Sequence, residues 1–340
     1  MRWYLAAPFI FSESDRWLAP FVPQDGDELS FQVVPATYDH DRSRKITGLA
    51  QWSDYFRHGN TLWREANSGS KPCGMLTCFP QIPIAAGARK LMARSDMPLV
   101  AWTFNLGTLY TGAKQLAAKA TLRAVDRFIV HSTHEVASYS EWLGLPKERF
   151  SFVPLQRATM PIVVPEDEAD PFVLSMGSAQ RDYRLLFEVL RELRYRAVVV
   201  AGPHAVAGLN VPSNVEVLSG LSTQQCHVLV QRARVNVIPI ANLKTASGQV
   251  TLLEAMTLGR AVVVTESPAS VDYVVHGHDG MLIRPGDHTD MRNAIQRLWE
   301  DASLRRLLGQ NARATSVARF SDEAAGRQMG LILRDVAKRH

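Results

Sequence analysis

Short runs of β-branched and other apolar residues alternate along this chain with longer stretches whose apolar positions recur every three to four residues. These are the periods of buried strands and of helices packed along one face. In the first half the runs predict strands over 3–11, 75–79, 98–104 and 127–131, with amphipathic helices over 84–93 and 114–125 between them. The second half repeats the alternation more regularly, with strands over 172–176, 197–201, 215–218, 235–239 and 261–265 separated by helices. Met291, Ile295 and Leu298, then Leu304, Leu307 and Leu308, predict two short helices, followed by a terminal helix over 322–338. Strand and helix in strict alternation build parallel sheets from βαβ units, so the expected fold class is α/β with two Rossmann-like domains. Residues 12–70 show no dominant period. Pro154, Pro161, Pro165 and Pro171, mixed with acidic residues, place an interdomain linker over 153–171. The expected domains are 1–160 and 161–320, with a terminal helix over 321–340.

A chain of 340 residues that is 46% hydrophobic suits two globular cores better than one. The net charge of +5 is concentrated in the first part, where 18 basic face 14 acidic residues up to position 165, against 20 and 19 afterwards. Lys114, Lys119, Arg123 and Arg127 fall within one or two turns of each other beside Leu116, Ala117 and Leu122. That grouping fits a peripheral contact with a membrane or lipid diphosphate, and equally a solvated helix face. Aromatic interleaving of the kind that binds nucleic acid is absent. No apolar run reaches the roughly 18 residues needed to cross a bilayer, and 3–11 reads as a buried strand rather than a leader. Cys73, Cys78 and Cys226 have neither paired nor histidine-linked spacing, so neither zinc nor a disulfide framework is indicated and a reducing cytoplasm fits.

The stretch Ser247-Gly248-Gln249-Val250-Thr251-Leu252-Leu253-Glu254-Ala255-Met256 carries the strongest chemical signal. A glycine admits close backbone approach, and the helix start behind it presents unpaired N–H groups whose dipole favours a diphosphate. Ser247, Gly248, Gln249, Val250 and Thr251 form that cradle. Glu254 lies one turn deeper, on the face of Thr251 and Thr257, where a carboxylate can accept both hydroxyls of a ribose. A loop glycine and a dipole-complementing acid explain the same residues without a ligand. Gly177-Ser178-Ala179-Gln180-Arg181 follows a strand and precedes a helix, where α/β sheets bind ligands; there Arg181 offers forked donors to phosphate oxygens and to leaving-group charge. A surface arginine is the plain alternative.

Residues 248–285, with Leu-Leu-Glu-Ala-Met-Thr-Leu-Gly-Arg-Ala at their centre and His276-Gly277-His278-Asp279-Gly280 near their end, resemble the carboxyl-terminal half of glycosyltransferase family 4. The resemblance covers 172–320 well and the first domain in outline. It implies the GT-B fold, with two Rossmann-like doubly wound domains facing across a cleft and a C-terminal helix crossing back to the first. It also implies retaining transfer from a nucleotide diphosphate sugar without metal or other cofactor, a UDP-sugar being the commonest donor in the family. Glu254 matches the second acid of the family's Glu-x7-Glu, which holds the ribose; the first falls on Ala246. Arg181 matches the later of two basic residues, and Ser178 stands in place of the earlier one. Gly202-Pro203 and Gly220-Leu221 match turns that edge the base and sugar. The family's first-domain histidine is absent from Thr77-Cys78-Phe79-Pro80-Gln81 and from Ala101-Trp102-Thr103-Phe104-Asn105-Leu106-Gly107. Asn105 is its expected substitute, although a turn asparagine fits equally well. His131 and His134 are further acceptor-side candidates, and Ser132 or Thr133 the cap of the following helix. The implied activity is transfer to a saccharide or lipid-linked acceptor in polysaccharide or glycoconjugate synthesis. A sugar-nucleotide epimerase and a non-catalytic sugar-nucleotide-binding scaffold are the alternatives.

Overall fold

The computed structural model describes residues 1–24, 28–39 and 48–340. Along the chain the elements run β1 (Arg2–Ala6), β2 (Ser30–Val33), α1 (Leu49–Ser68), β3 (Cys73–Cys78), α2 (Gln81–Met92), β4 (Leu99–Trp102), α3 (Gly112–Leu122), β5 (Arg127–Val130), α4 (Thr133–Leu143) and β6 (Phe150–Phe152). They continue as β7 (Val173–Met176), α5 (Tyr183–Leu193), β8 (Ala197–Val200), α6 (Pro203–Val206), β9 (Val215–Leu218), α7 (Thr223–Arg232), β10 (Val235–Ile238) and α8 (Gln249–Thr257). The last are β11 (Val262–Thr265), β12 (Met281–Ile283), α9 (His288–Glu300), α10 (Ala302–Arg319) and α11 (Asp322–Ala337). Met1–Val153 with Glu323–His340 form one compact unit, and Pro154–Asp322 form the other.

In the first unit six parallel strands lie in the order β2-β1-β3-β4-β5-β6. Both faces are covered, so the strands read as continuous apolar runs and their alternation appears only in which core each residue joins. Tyr4, Met75, Leu99 and Phe128 pack under α1 to α4 with Tyr55, Ile82, Leu122 and Tyr139. Trp3, Leu76, Val100 and Ile129 face the opposite way, onto Leu18, Val22 and the α11 residues Ala325, Met329, Leu333 and Val336. Helix α11 approaches closely at Gly326, where a Cβ would stand 2.5 Å from the Phe21 carbonyl oxygen.

The second unit has six parallel strands in the order β12-β11-β10-β7-β8-β9. From β7 the chain winds outward through β8 and β9, then returns to the other side of β7 to lay down β10, β11 and β12. The loops after β7 and β10 therefore leave neighbouring strands in opposite directions and open the crevice in which doubly wound sheets bind ligands. Val199, Val237 and Val263 pack with α5 and α9 on one face; Val198, Ile238 and Val264 pack with α7, α8 and α10 on the other.

Several elements differ from the sequence pattern for physical reasons. Strand β1 stops at Ala6, two residues before Pro8, rather than running to residue 11. The segment 12–70 contains β2 and the 20-residue α1, whose apolar stripe is diluted by Gln51, Ser53, Asp54, Arg57 and Asn60. The helices after Asp287 are long, 13 and 18 residues. Residues 154–170 are a strap bound to the second unit and not a free linker. Leu155 donates to the Tyr273 hydroxyl at 2.8 Å, and the Val163 and Val164 amides donate to Gln231. Glu166 accepts from Arg234 and Arg305, and Asp167 from Arg232. The units consequently divide at 153/154, so 154–160 belong with the second.

Candidate functional site

The loops after β7 and β10 are joined at the crevice by backbone hydrogen bonds, Ala241 donating to Gln180 and Asp182 to Pro239, each at 3.0 Å. This pairing sets Gly177 to Arg181 beside Ser247 to Thr251. Helix α8 starts at Gly248, in a left-handed conformation with φ 85°, and the glycine has no side chain to cap it. The first-turn amides and the positive dipole end favour an anion at a helix start. The requirement for glycine at 248 comes from the protein side. A Cβ there would stand 3.0 Å from Ile240 and 3.1 Å from Ile238, in addition to the left-handed strain, so close backbone approach to a ligand is not its main cause.

Arg181 lies beneath this loop pair. Its guanidinium donates to the Met176 carbonyl at 3.0 Å, the Ala179 carbonyl at 2.9 Å and the Thr251 hydroxyl at 3.0 Å. It occupies the space next to Gly177 that a side chain would need: a Cβ on Gly177 would lie 2.6 Å from Arg181 Nη2, at φ 112°. Burial lowers the guanidinium pKa, and the nearby Tyr183 opposes that shift. Arg181 is thus a fixed positive charge that ties α8 to the β7 loop, rather than a mobile clamp. Ser178, where the family resemblance places a second cation, accepts instead from the Gly202 amide at 2.7 Å and links the loops after β7 and β8.

Glu254 is 8% exposed. One of its oxygens, Oε1, accepts from Arg157 Nη2 at 3.2 Å and lies 3.7 Å from His227 Nε2. Neither partner was picked out by sequence reasoning. Arg157 belongs to the proline-rich strap, 97 residues from Glu254 in sequence, and His227 sits in the middle of an ordinary amphipathic helix. Of the other residues assigned to this site, Thr251 donates to the Gly248 carbonyl at 3.0 Å while accepting from Arg181. The side chain of Gln249 is buried and donates to the Tyr273 hydroxyl at 3.3 Å, so its side chain points away from a ligand at the helix start. Thr257 bonds Ser316 at 2.6 Å and is a packing residue. Val250 is exposed, and Ala246 is buried at the position of the missing acid. Ser247 Oγ is buried without a hydrogen-bond partner among the described residues. Gly202 and Pro203 begin the short α6, and Gly220 adopts φ 71°. Leu221 lines a cavity of about 440 Å³ with Leu218, Gln224, Gln225, Val228 and Leu229. Gln224 lies one turn before His227 on α7.

The remaining candidates belong to the first unit. Asn105 Oδ1 accepts from the Gly107 amide at 2.7 Å and so closes its own turn. His131 is buried and its Nδ1–H donates to the Val153 carbonyl at 2.7 Å; burial lowers its pKa to about 4, against a smaller opposing effect of that bond, which keeps the ring neutral. His134 is exposed, its amide capped by Ser132 at 3.2 Å. Arg127 leaves the basic grouping seen in the sequence, because it lies in β5 and pairs with Asp335 at 2.7 Å. Lys114 sits 3.9 Å above the Tyr110 ring and 5.3 Å from that of Trp52. Among the described residues no cluster of three or more His, Cys, Asp or Glu could hold a metal ion, and no helix is long and apolar enough to cross a membrane.

Residues 156–315 match the family model described as glycosyl transferases group 1. The D-rhamnosyltransferase WbpZ of Pseudomonas aeruginosa is 27% identical over 38% of this chain and 36% of its own length. The alpha-D-kanosaminyltransferase of Streptomyces kanamyceticus is 30% identical over 26% of this chain and 22% of its own. The matched segments thus span little more than a third of these relatives at most. By structure, a sucrose-phosphate synthase from Thermosynechococcus elongatus superposes with TM-score 0.72 at 16% identity, over 100% of this chain and 99% of that one. The Anabaena protein HepE in complex with UDP superposes with TM-score 0.67 at 15% identity, over 98% and 100%. These neighbours share the two-domain GT-B fold.

Proposed function

Since residues 156–315 match the family model described as glycosyl transferases group 1, we propose that this chain transfers a sugar from a nucleotide diphosphate sugar, a UDP-sugar first among them, to a saccharide or lipid-linked acceptor. The observation that carries the reading is the convergence of a helix start at a left-handed glycine, a half-buried arginine and a buried carboxylate at one switch point. The diphosphate would lie across the start of α8, the ribose hydroxyls at Glu254 and the base in the Leu221 cavity. UDP and UDP-glucose complexes of HepE favour UDP among the nucleotides.

The chemistry follows from charge placement. As the anomeric C–O bond breaks, negative charge grows on the departing diphosphate. The start of α8 and the fixed Arg181 charge would face that place, so that little reorganisation is needed when the charge develops. Two such electrostatic sources make a divalent metal dispensable. No protein nucleophile is assigned: the departing diphosphate takes the acceptor proton, and transfer proceeds with retention of configuration. Binding holds the two reactants in register, which supplies much of the rate. The acceptor belongs to polysaccharide or glycoconjugate assembly. The exposed Leu116, with Lys119 and Arg123 near it, supports peripheral contact with an anionic lipid surface.

The test is calorimetric titration with UDP, GDP and ADP, with and without EDTA, followed by transfer assays using the sugars of whichever nucleotide binds. EDTA-insensitive binding of one nucleotide is expected, and absence of binding by all three refutes the donor site. A non-catalytic binding protein is the second reading, favoured by Ala246 at the place of the first acid; binding without turnover of any sugar nucleotide would select it.

A further inference from the structure

Glu254 enters the site already paired. We propose that Arg157, on the strap, is a positioning residue for the donor ribose, holding the Glu254 carboxylate by one oxygen so that the other is presented to the 2′- and 3′-hydroxyls. The inference rests on the reading of Glu254 as the ribose acceptor.

The geometry separates the two oxygens of the carboxylate. Arg157 Nη2 donates to Oε1 at 3.2 Å, and His227 Nε2 approaches the same oxygen at 3.7 Å. Among the described residues the Glu254 carboxylate accepts no other hydrogen bond, leaving Oε2 for a ligand. A glutamate has three side-chain torsions, and an unrestrained carboxylate would lose rotamer freedom when it binds; one held in advance does not. Arg157 is itself held in place. Its amide donates to the Phe320 carbonyl at 2.8 Å, the neighbouring Leu155 amide donates to Tyr273, and the Met160 carbonyl accepts from Arg313 at 3.2 Å. Its Nε is buried without a partner among the described residues. The pair is asymmetric in exposure, Arg157 side chain 38% and Glu254 11%, so the arginine sits at the solvent side with the carboxylate beneath it.

The experiment compares UDP with 2′,3′-dideoxy-UDP by calorimetry, for the wild-type chain and for Arg157→Met, Arg157→Lys, Glu254→Gln and the Arg157→Met/Glu254→Gln double variant, with melting curves for each. Arg157→Met is expected to weaken UDP about tenfold, the scale of a weakened charge-assisted hydrogen bond, and to leave dideoxy-UDP unchanged. Arg157→Lys should recover part of the loss, and the double variant should bind UDP no more weakly than Glu254→Gln alone. Equal loss for both nucleotides in Arg157→Met and Arg157→Lys would make Arg157 a structural anchor and overturn the proposal, as would no loss for either. If Glu254→Gln weakens UDP and the Arg157 variants do not, only this inference falls. If the wild-type chain binds UDP no better than the dideoxy analogue, the ribose reading of Glu254 falls with it.

Discussion

Replacing Gly177 by alanine tests the architecture of the donor site directly, because the glycine and Arg181 share one space. An added Cβ would sit 2.6 Å from Arg181 Nη2 and 3.0 Å from its Cζ, at a φ of 112° that side chains rarely adopt. The guanidinium cannot remain, and with it go the bonds to Met176, Ala179 and Thr251. Backbone strain costs about 1–3 kcal/mol, and disrupting the half-buried cation's hydrogen bonds adds about 1.5–3 kcal/mol. The expected loss is therefore about 2.5–6 kcal/mol, which in a domain of this size lowers Tm by roughly 5–24 °C. Gly177→Ala, Arg181→Ala and the double variant form a cycle, measured by urea unfolding and by UDP titration. With Arg181 already truncated, the clash is gone, so the double variant should be more stable than the two single losses add up to by about 1–3 kcal/mol. Strict additivity, or a Gly177→Ala chain that melts and binds UDP like the wild type, would show that the two residues do not compete for this space.

Glu254→Gln keeps the shape and removes the charge; nucleotide affinity should fall about 10- to 100-fold, from losing roughly 1.5–3 kcal/mol of charged hydrogen bonding, while Tm changes little because the Arg157 pair is partly exposed. An unchanged Kd for every nucleotide would remove the site assignment. Gly326→Ala should destabilise the first unit by about 1–3 kcal/mol, since the new Cβ meets Phe21 backbone atoms at 2.5 and 2.6 Å; a Tm equal to wild type would mean α11 can slide to accommodate it. His131 introduces an acid dependence. Its folded pKa, about 4, lies below its unfolded value of 6.5, so only the unfolded chain takes up the proton as pH falls from 6.5 toward 4. Its contribution is complete above that window and lost within it, roughly 2 kcal/mol by pH 5. Urea midpoints of wild type and His131→Gln between pH 7.5 and pH 5 should therefore converge, and parallel curves would contradict the burial argument.

What could be read without tertiary structure was local in origin. The alternation of strand and helix follows from burial periods within a few turns, and Gly248, Arg181 and Glu254 stand out because each lies near a strand end or helix start whose unpaired groups have a defined chemistry. The central parallel strands were legible because they are buried on both faces; β6 and β12, at three residues each, were too short to show a period. What depended on folding was every relation across long sequence separations. The order of β7 and β10, which makes a crevice of two loops, is a matter of topology. The side on which Arg181 lies, under Gly177, is decided by packing. Asn105 could have faced a ligand, but its turn uses the carbonyl oxygen locally; Gln249 turns to Tyr273 instead of outward. The proline-rich stretch carries no regular period, and its position on the second unit comes from ion pairs and side-chain bonds to partners scattered from Gln231 to Arg313, among them the contact of Arg157 with Glu254. A sequence records which groups are available, whereas the partner each one takes is set by a global competition for burial and hydrogen bonds that only the folded chain resolves.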